Sequence, residues 1–224
     1  KKSFGQHFLA DESIAKATAD GLTMISSVKN VLEVGPGKGV LTRHLAAKDI
    51  NLRVVEADRD MVNYLVKHRI LDEDSIIFMD FLKLSMAKVF EGESFLLIGN
   101  YPYNISSQIL IKMVNHRDLV PEMVGMFQKE VADRIIAPPG SKTYGVISVL
   151  VQAYYRGELI MNVEPESFNP PPKVRSAVIR LTRLENSGLD CDERLFRTVV
   201  KTSFGQRRKM LRNTLRALAG DETL

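Results

Sequence analysis

Apolar runs of strand length alternate with longer amphipathic segments through most of this 224-residue chain, a pattern that few architectures can satisfy. Residues 30–34, 52–55, 75–79, 95–98 and 123–127 form short, nearly continuous apolar runs, as strands buried on both faces require. Between them, 40–47, 60–67, 105–114 and 129–136 carry apolar residues at helical spacing. Such alternation implies βαβ units and a parallel sheet covered on both faces, a Rossmann-like α/β domain that binds ligands at the carboxyl ends of its strands. Beyond Tyr144 the pattern changes: 146–155, 158–163 and 177–181 read as consecutive strands, so an antiparallel pair is expected to close the sheet.

A break at Asn186-Ser187-Gly188 divides the chain into a domain of residues 1–186 and the start of a small all-α domain, 187–224. In the latter, Phe196, Val199, Val200, Ser203 and Phe204 fall at helical spacing, Gly205 interrupts, and Met210, Leu211, Thr214, Leu215 and Leu218 open a second helix. Composition excludes several classes: 45% hydrophobic and 26% charged residues argue against a disordered or low-complexity chain. The single cysteine, Cys191, has no disulfide partner, and four histidines without a cysteine cluster offer no metal-site spacing. No apolar stretch is long enough to span a bilayer, so a soluble, cytoplasmic protein working as a monomer without a metal is expected.

The segment Glu33-Val34-Gly35-Pro36-Gly37-Lys38-Gly39 joins the first buried strand to its helix. Glycines there let backbone approach a ligand at a helix N-terminus. The dinucleotide fingerprint would require glycine where Val40 stands, and no Gly-Lys-Ser/Thr completes a P-loop, which disfavours NAD and ATP. Glu56 ends the second strand, where a carboxylate can accept from both ribose hydroxyls. Asp80, after the third, can take a hydrogen from an adenine amine. A glycine loop (Gly35, Gly37, Gly39), a ribose acid and an adenine acid at successive strand ends describe a site for S-adenosylmethionine. Taken singly, each is also the mark of a tight turn or a helix cap.

After the fourth strand comes Asn100-Tyr101-Pro102-Tyr103. An adenine amine is a poor nucleophile because its lone pair is delocalised into the ring, so a site that methylates it should offer hydrogen-bond acceptors. The Asn100 side-chain oxygen and the Tyr101 carbonyl can hold the amino hydrogens as positive charge develops on nitrogen. Pro102 stiffens the backbone, and Tyr103 offers a ring on which an unstacked base can lie. A second element, Phe168-Asn169-Pro170-Pro171-Pro172-Lys173-Val174-Arg175-Ser176, is stiff enough to hold Phe168 as an opposite wall, although alone it reads as a rigid loop at the core's edge.

In this order these elements resemble the ribosomal RNA adenine dimethyltransferases, most closely their bacterial small-subunit group. The likeness runs from Lys1-Lys2-Ser3-Phe4-Gly5-Gln6-His7-Phe8-Leu9 to Ser203-Phe204-Gly205-Gln206-Arg207-Arg208-Lys209-Met210-Leu211-Arg212-Asn213. It implies dimethylation at N6 of two adjacent adenines in the 3′-terminal hairpin of small-subunit rRNA, within an assembling small ribosomal subunit. It also implies cofactor contacts from His7, Leu9, Gly35, Glu56, Asp80 and Asn100, and base contacts from Asn100, Tyr101, Pro102, Tyr103 and Phe168. His7 stands where asparagine is usual and is expected to donate one hydrogen bond to the methionine end of the cofactor. Tyr101 stands where leucine is usual. Its carbonyl is unchanged by the swap, but its larger ring is expected near the amine, where it would bear on the balance of single and double methylation.

Eight basic residues, Arg194, Arg197, Lys201, Arg207, Arg208, Lys209, Arg212 and Arg216, occur from 194 to 216 without one acid. The whole chain carries only +4, and with those eight set aside 23 basic residues remain against 27 acids, a balance of −4. The first three fall at i, i+3 and i+7, and Arg208, Arg212 and Arg216 at steps of four, giving each helix a cationic ridge that would bind RNA phosphates. Competing readings are a resistance-type enzyme acting on large-subunit rRNA, a non-catalytic RNA-binding assembly factor, and a small-molecule methyltransferase, which the cationic helices disfavour.

Overall fold

A computed structural model describes residues 7–185 and 188–219. Residues Lys1 to Gln6 of the opening motif, and the expected break at Asn186 and Ser187, lie outside the described residues. In chain order the elements are β1 (Phe8–Leu9), α1 (Glu12–Asp20), β2 (Asn30–Val34), α2 (Val40–Ala46), β3 (Asn51–Glu56), α3 (Arg59–Lys67), β4 (Ile76–Phe78), α4 (Met86–Val89) and β5 (Leu96–Asn100). There follow α5 (Ser106–Asn115), β6 (Glu122–Gln128), α6 (Lys129–Ile135), α7 (Val146–Gln152), β7 (Tyr155–Val163), β8 (Phe168–Asn169), β9 (Ser176–Arg183), α8 (Glu193–Gly205) and α9 (Leu211–Ala219).

Seven strands form one sheet in the order β4-β3-β2-β5-β6-β9-β7. The five from β4 to β6 run parallel, and β9 and β7 complete the sheet as antiparallel neighbours. Successive residues of a strand face opposite sides, and the two cores follow that alternation. Leu32, Val34, Leu97 and Met123 point to the side covered by α5, α6 and α7, while Val31, Leu96, Ile98 and Val124 point to the side covered by α1 and α2. From β2 the chain winds outward through β3 and β4; it then returns to place β5 on the other side of β2 and winds the opposite way. That reversal opens a crevice above the carboxyl ends of β2 and β5, where ligands bind in sheets of this kind. The glycine loop and the Asn100 stretch therefore meet there.

The expected strand over 146–155 is corrected: 146–152 is helix α7, and only Tyr155 belongs to a strand. Its β-branched run reads locally as extended, yet helical phase brings Ser148 and Gln152, four apart, onto one face. Ser148 donates to the Arg134 carbonyl, and the Gln152 amide donates to the Ile135 and Ala137 carbonyls, each at 2.8 Å. These carbonyls, at the end of α6, have no partner within that helix. Tertiary satisfaction of them outweighs the β preference of valine and isoleucine.

Beside the main sheet, β1 and β8 form a two-stranded ribbon in which Leu9 pairs with Phe168. Helix α8 packs on α7 and α9. It is tied to the larger unit by an ion pair between Glu193 and Arg117 and by the edge of Phe204 against Tyr144.

Candidate functional site

A cavity of about 670 Å³ lies above the crevice, within the ~300–1,000 Å³ typical of small-ligand sites. One wall is the loop after β2. Gly35 holds φ +69° with no heavy atom within 4 Å of where a side chain would begin, so its backbone is bare to the cavity. Gly37, also left-handed, faces the Phe8 ring, and its N–H donates to the Glu56 carboxylate at 3.2 Å. Gly39 does not reach the cavity: a methyl group there would strike Ile70 and Leu65 in the core, so its role is to start α2 in a left-handed conformation. That part of the sequence expectation is corrected.

Glu56 is nearly buried where β3 ends, and its second oxygen accepts the Asp58 N–H at 2.9 Å. Burial raises its pKa, and the amides of Asp58 and Gly37 oppose that rise. A carboxylate so held presents its remaining lone pairs to the cavity in one orientation. Asp80 caps the turn after β4 by accepting the Leu82 N–H at 2.9 Å. The same turn is pinned from α5, where the Lys112 ammonium donates to the Leu82 and Leu84 carbonyls at 2.9 and 2.6 Å.

Across the cavity, the Asn100 side-chain amide donates to the His7 carbonyl at 3.4 Å. Its Oδ1 and the Tyr101 carbonyl receive no hydrogen bond among the described residues, leaving two adjacent acceptors at the end of β5. Tyr103 is half-buried, its ring stacked on His7 at 6.1 Å and its hydroxyl 2.7 Å from Ser176 Oγ. Desolvation raises the Tyr103 pKa, so the phenol stays neutral at physiological pH. His7 Nδ1 lies 2.8 Å from the Pro170 carbonyl, which can only accept. Nδ1 therefore carries a hydrogen, which leaves Nε2 as the ring nitrogen available to a ligand.

His7, Leu9, Gly35, Gly37, Glu56, Asp80, Asn100, Tyr101, Pro102 and Tyr103 all border this one cavity, as expected of a shared site. Two expectations fare otherwise. The Phe168 ring is 2% exposed and lies in the core with Leu9, Val163 and Val178; it does not line the cavity. The Tyr101 ring, expected near the amine, is 1% exposed and packs in the sheet's core against Phe127.

Glu33, inside β2, was given no role from sequence. It is 1% exposed, borders the cavity, and its Oε2 has no partner among the described residues. Burial pushes its pKa up to about 8. A lone acid within the apolar run Asn30-Val31-Leu32-Glu33-Val34 was the available signal, since a buried carboxyl is costly without a partner. The bare glycine backbone, the held Glu56 carboxylate, Asp80 and this orphaned oxygen suit a ligand with ribose hydroxyls, an adenine amine and an amino-acid end. S-adenosylmethionine fits that description.

Of the eight basic residues, all but Arg197 are exposed. Arg194, Arg197 and Lys201 lie on α8 as expected. Arg208 lies in the turn before α9, so the second helical ridge reduces to Arg212 and Arg216. Arg207 donates to the Lys142 carbonyl at 3.0 Å and covers Phe204, tying α8 to the larger unit.

The family model described as ribosomal RNA adenine dimethylase matches residues 1–224. Two relatives carry the name ribosomal RNA small subunit methyltransferase A. That of Phocaeicola vulgatus is 53% identical over 99% of this chain and 79% of its own length. That of Flavobacterium johnsoniae is 54% identical over 97% of this chain and 83% of its own. Among solved structures, a dimethyladenosine transferase from Plasmodium falciparum superposes with a TM-score of 0.78 at 29% identity, covering 94% of this chain and 75% of that one. A 23S rRNA methyltransferase, ErmE, gives 0.74 at 24% identity over 93% and 83%, a likeness of fold alone.

Proposed function

The chain belongs to the ribosomal RNA adenine dimethylase family, and from that premise we propose that it dimethylates N6 of two adjacent adenines in the 3′-terminal hairpin of small-subunit rRNA during subunit assembly. The methyl donor is S-adenosylmethionine, which supplies an electrophilic methyl on a sulfonium centre. The observation that carries the reading is the pair of acceptors, Asn100 Oδ1 and the Tyr101 carbonyl, unbonded among the described residues, on two residues that border the same cavity as Glu56 and the glycine loop.

The geometry supports a part for each residue. Glu56 holds the ribose hydroxyls, Asp80 accepts from the adenine amine of the cofactor, and His7 meets the amino-acid end through Nε2. Asn100 and Tyr101 accept hydrogen bonds from the target N6, which concentrates its lone pair and stabilises the cation that forms as nitrogen bonds to the methyl carbon. The bound donor would supply the methyl group and keep the bonding electron pair on its sulfur, and the proton lost from nitrogen would pass to water. Neither group is a strong base, and none is needed, because the nitrogen is acidic once alkylated. Tyr103 stacks on the extruded base, an interaction of about 1–3 kcal/mol in comparable sites. Phe168 reaches the base only if β8 shifts within its ribbon, and we retain it as a base contact on that condition.

Helices α8 and α9 form the RNA-binding part of a second unit, with Arg194, Lys201, Arg208, Lys209, Arg212 and Arg216 on phosphates and Arg207 at the junction. The enzyme works as a monomer in the cytoplasm, where small subunits are assembled. The experiment is incubation with immature small subunits and with large-subunit rRNA, followed by mass spectrometry of the RNA fragments. Two dimethyladenines in the 3′ hairpin are expected. Product on the large-subunit RNA alone would replace this reading with the resistance-type one.

A further inference from the structure

Tyr101, unlike its neighbours Asn100, Pro102 and Tyr103, is fully buried. It is 1% exposed, lies tilted against Phe127 at 5.1 Å between centroids, and its hydroxyl is 3.4 Å from the Val124 carbonyl. The space it fills is left by two glycines paired across neighbouring strands, Gly99 on β5 and Gly125 on β6. A methyl group on Gly125 would overlap the ring's edge, standing 2.8 Å from Cδ2 and 2.9 Å from Phe127 Cε2, while one on Gly99 would lie 2.6 Å from the Val34 carbonyl oxygen and 3.0 Å from Tyr101 Cε1. The Tyr101 N–H, meanwhile, donates to the Met126 carbonyl at 3.2 Å. Ring and backbone of Tyr101 are thus both held by residues 124 to 127 of β6.

We propose that Gly125 is a positioning residue for methyl transfer: the hole it leaves seats the Tyr101 ring, and the seated ring fixes the peptide whose carbonyl receives the target amine. The inference rests on the reading of 100–103 as the reacting stretch. Close-packed interiors admit a ring of this size in one orientation only, so a side chain at 125 must move it. The peptide then moves with it, and a displacement of about 1 Å at a reacting centre can cost on the order of 10²-fold in rate. The relationship is one of fit between two positions: alanine at 125 excludes tyrosine at 101, whereas leucine at 101 removes the colliding ring edge and leaves the edge of Phe127, 2.9 Å from that methyl group, as the neighbour that must yield.

The test compares the wild-type chain with Gly125→Ala, Tyr101→Leu and the double variant. S-adenosylmethionine affinity is read by calorimetry, and methyl transfer to rRNA in immature small subunits is read at saturating cofactor. Gly125→Ala should lose more than tenfold in kcat with cofactor affinity within twofold, and the double variant should recover to within threefold of Tyr101→Leu. Transfer by Gly125→Ala within twofold of wild type overturns the proposal. So does a double variant that folds and binds cofactor but is at least tenfold slower than Tyr101→Leu. If Gly125→Ala does not fold, the double variant decides alone, by the same comparison with Tyr101→Leu. A wild-type chain that binds cofactor yet methylates no adenine overturns the functional reading itself.

Discussion

The Tyr103 hydroxyl lies 2.7 Å from Ser176 Oγ, which joins the stretch after β5 to the first residue of the antiparallel strand β9. The ring proposed to stack on the target base is therefore anchored at its far end by a fully buried serine. Tyr103→Ala should lower methyl transfer by more than tenfold, a barrier increase of about 1.4 kcal/mol or more, with little change in cofactor affinity. Tyr103→Phe and Ser176→Ala should each show a smaller loss of similar size, because both remove the anchor and keep a ring. Single-turnover rates beside calorimetry distinguish these outcomes from a structural defect, in which rate and affinity would fall together.

Glu56→Ala should act on binding first. The carboxylate is held by the amides of Gly37 and Asp58, and its loss removes the proposed ribose acceptor and leaves Gly37 N–H without that partner. Cofactor affinity is expected to fall at least tenfold, by calorimetry, while transfer at saturating cofactor falls less. Unchanged affinity would remove Glu56 from the ribose site.

Glu33 makes the stability of the unliganded chain depend on pH. Its folded pKa, about 8, exceeds its ordinary value of 4.5, so between those values the unfolded chain has released a proton that the folded chain keeps. Stability therefore declines as pH rises through that window and levels off above it. Glu33→Gln should flatten the decline by a few kcal/mol, on the order expected for so large a displacement. Denaturant unfolding of both proteins at pH 5 and pH 8 measures it. A wild-type-to-variant difference that stays constant across the two pH values would mean that Glu33 is already ionised in the folded chain.

Neutralising Arg208 and Arg212 together should weaken RNA binding and reduce the slope of log affinity against log salt by roughly 1.5, as expected for about two lost phosphate contacts. Arg207→Gln should instead destabilise the packing of α8 on the larger unit, since that guanidinium bonds the Lys142 carbonyl and covers Phe204. Filter binding across a salt series separates the two effects, and an unchanged slope in the double variant would place Arg208 and Arg212 away from the RNA.

The parts legible in the sequence were those set by local pattern. β2 runs from Asn30 to Val34 as its apolar run predicts, because a strand buried on both faces needs no partner to be recognised. The loop and the acids at strand ends were legible for the same reason, position relative to a strand. The rest depended on contacts remote in sequence. The strand expected in place of α7 fails because carbonyls of α6 decide its conformation, and Phe168 is buried because β8 pairs with β1 some 160 residues earlier. The direction of the Tyr101 ring depends on the absence of a side chain at Gly125, which no local motif announces.

The placing of β9 between β6 and β7 also orders events as the chain is synthesised. β7 is made first but has only β9 to pair with, and until β9 arrives β6 remains an open edge. Ser176 arrives with that last strand. The glycine loop and the Asn100 stretch both precede that strand in the chain, yet the Tyr103 ring, proposed to receive the base, is not fastened until residues 176–183 have entered the sheet. Completion of the sheet and fastening of the Tyr103 ring thus become one event.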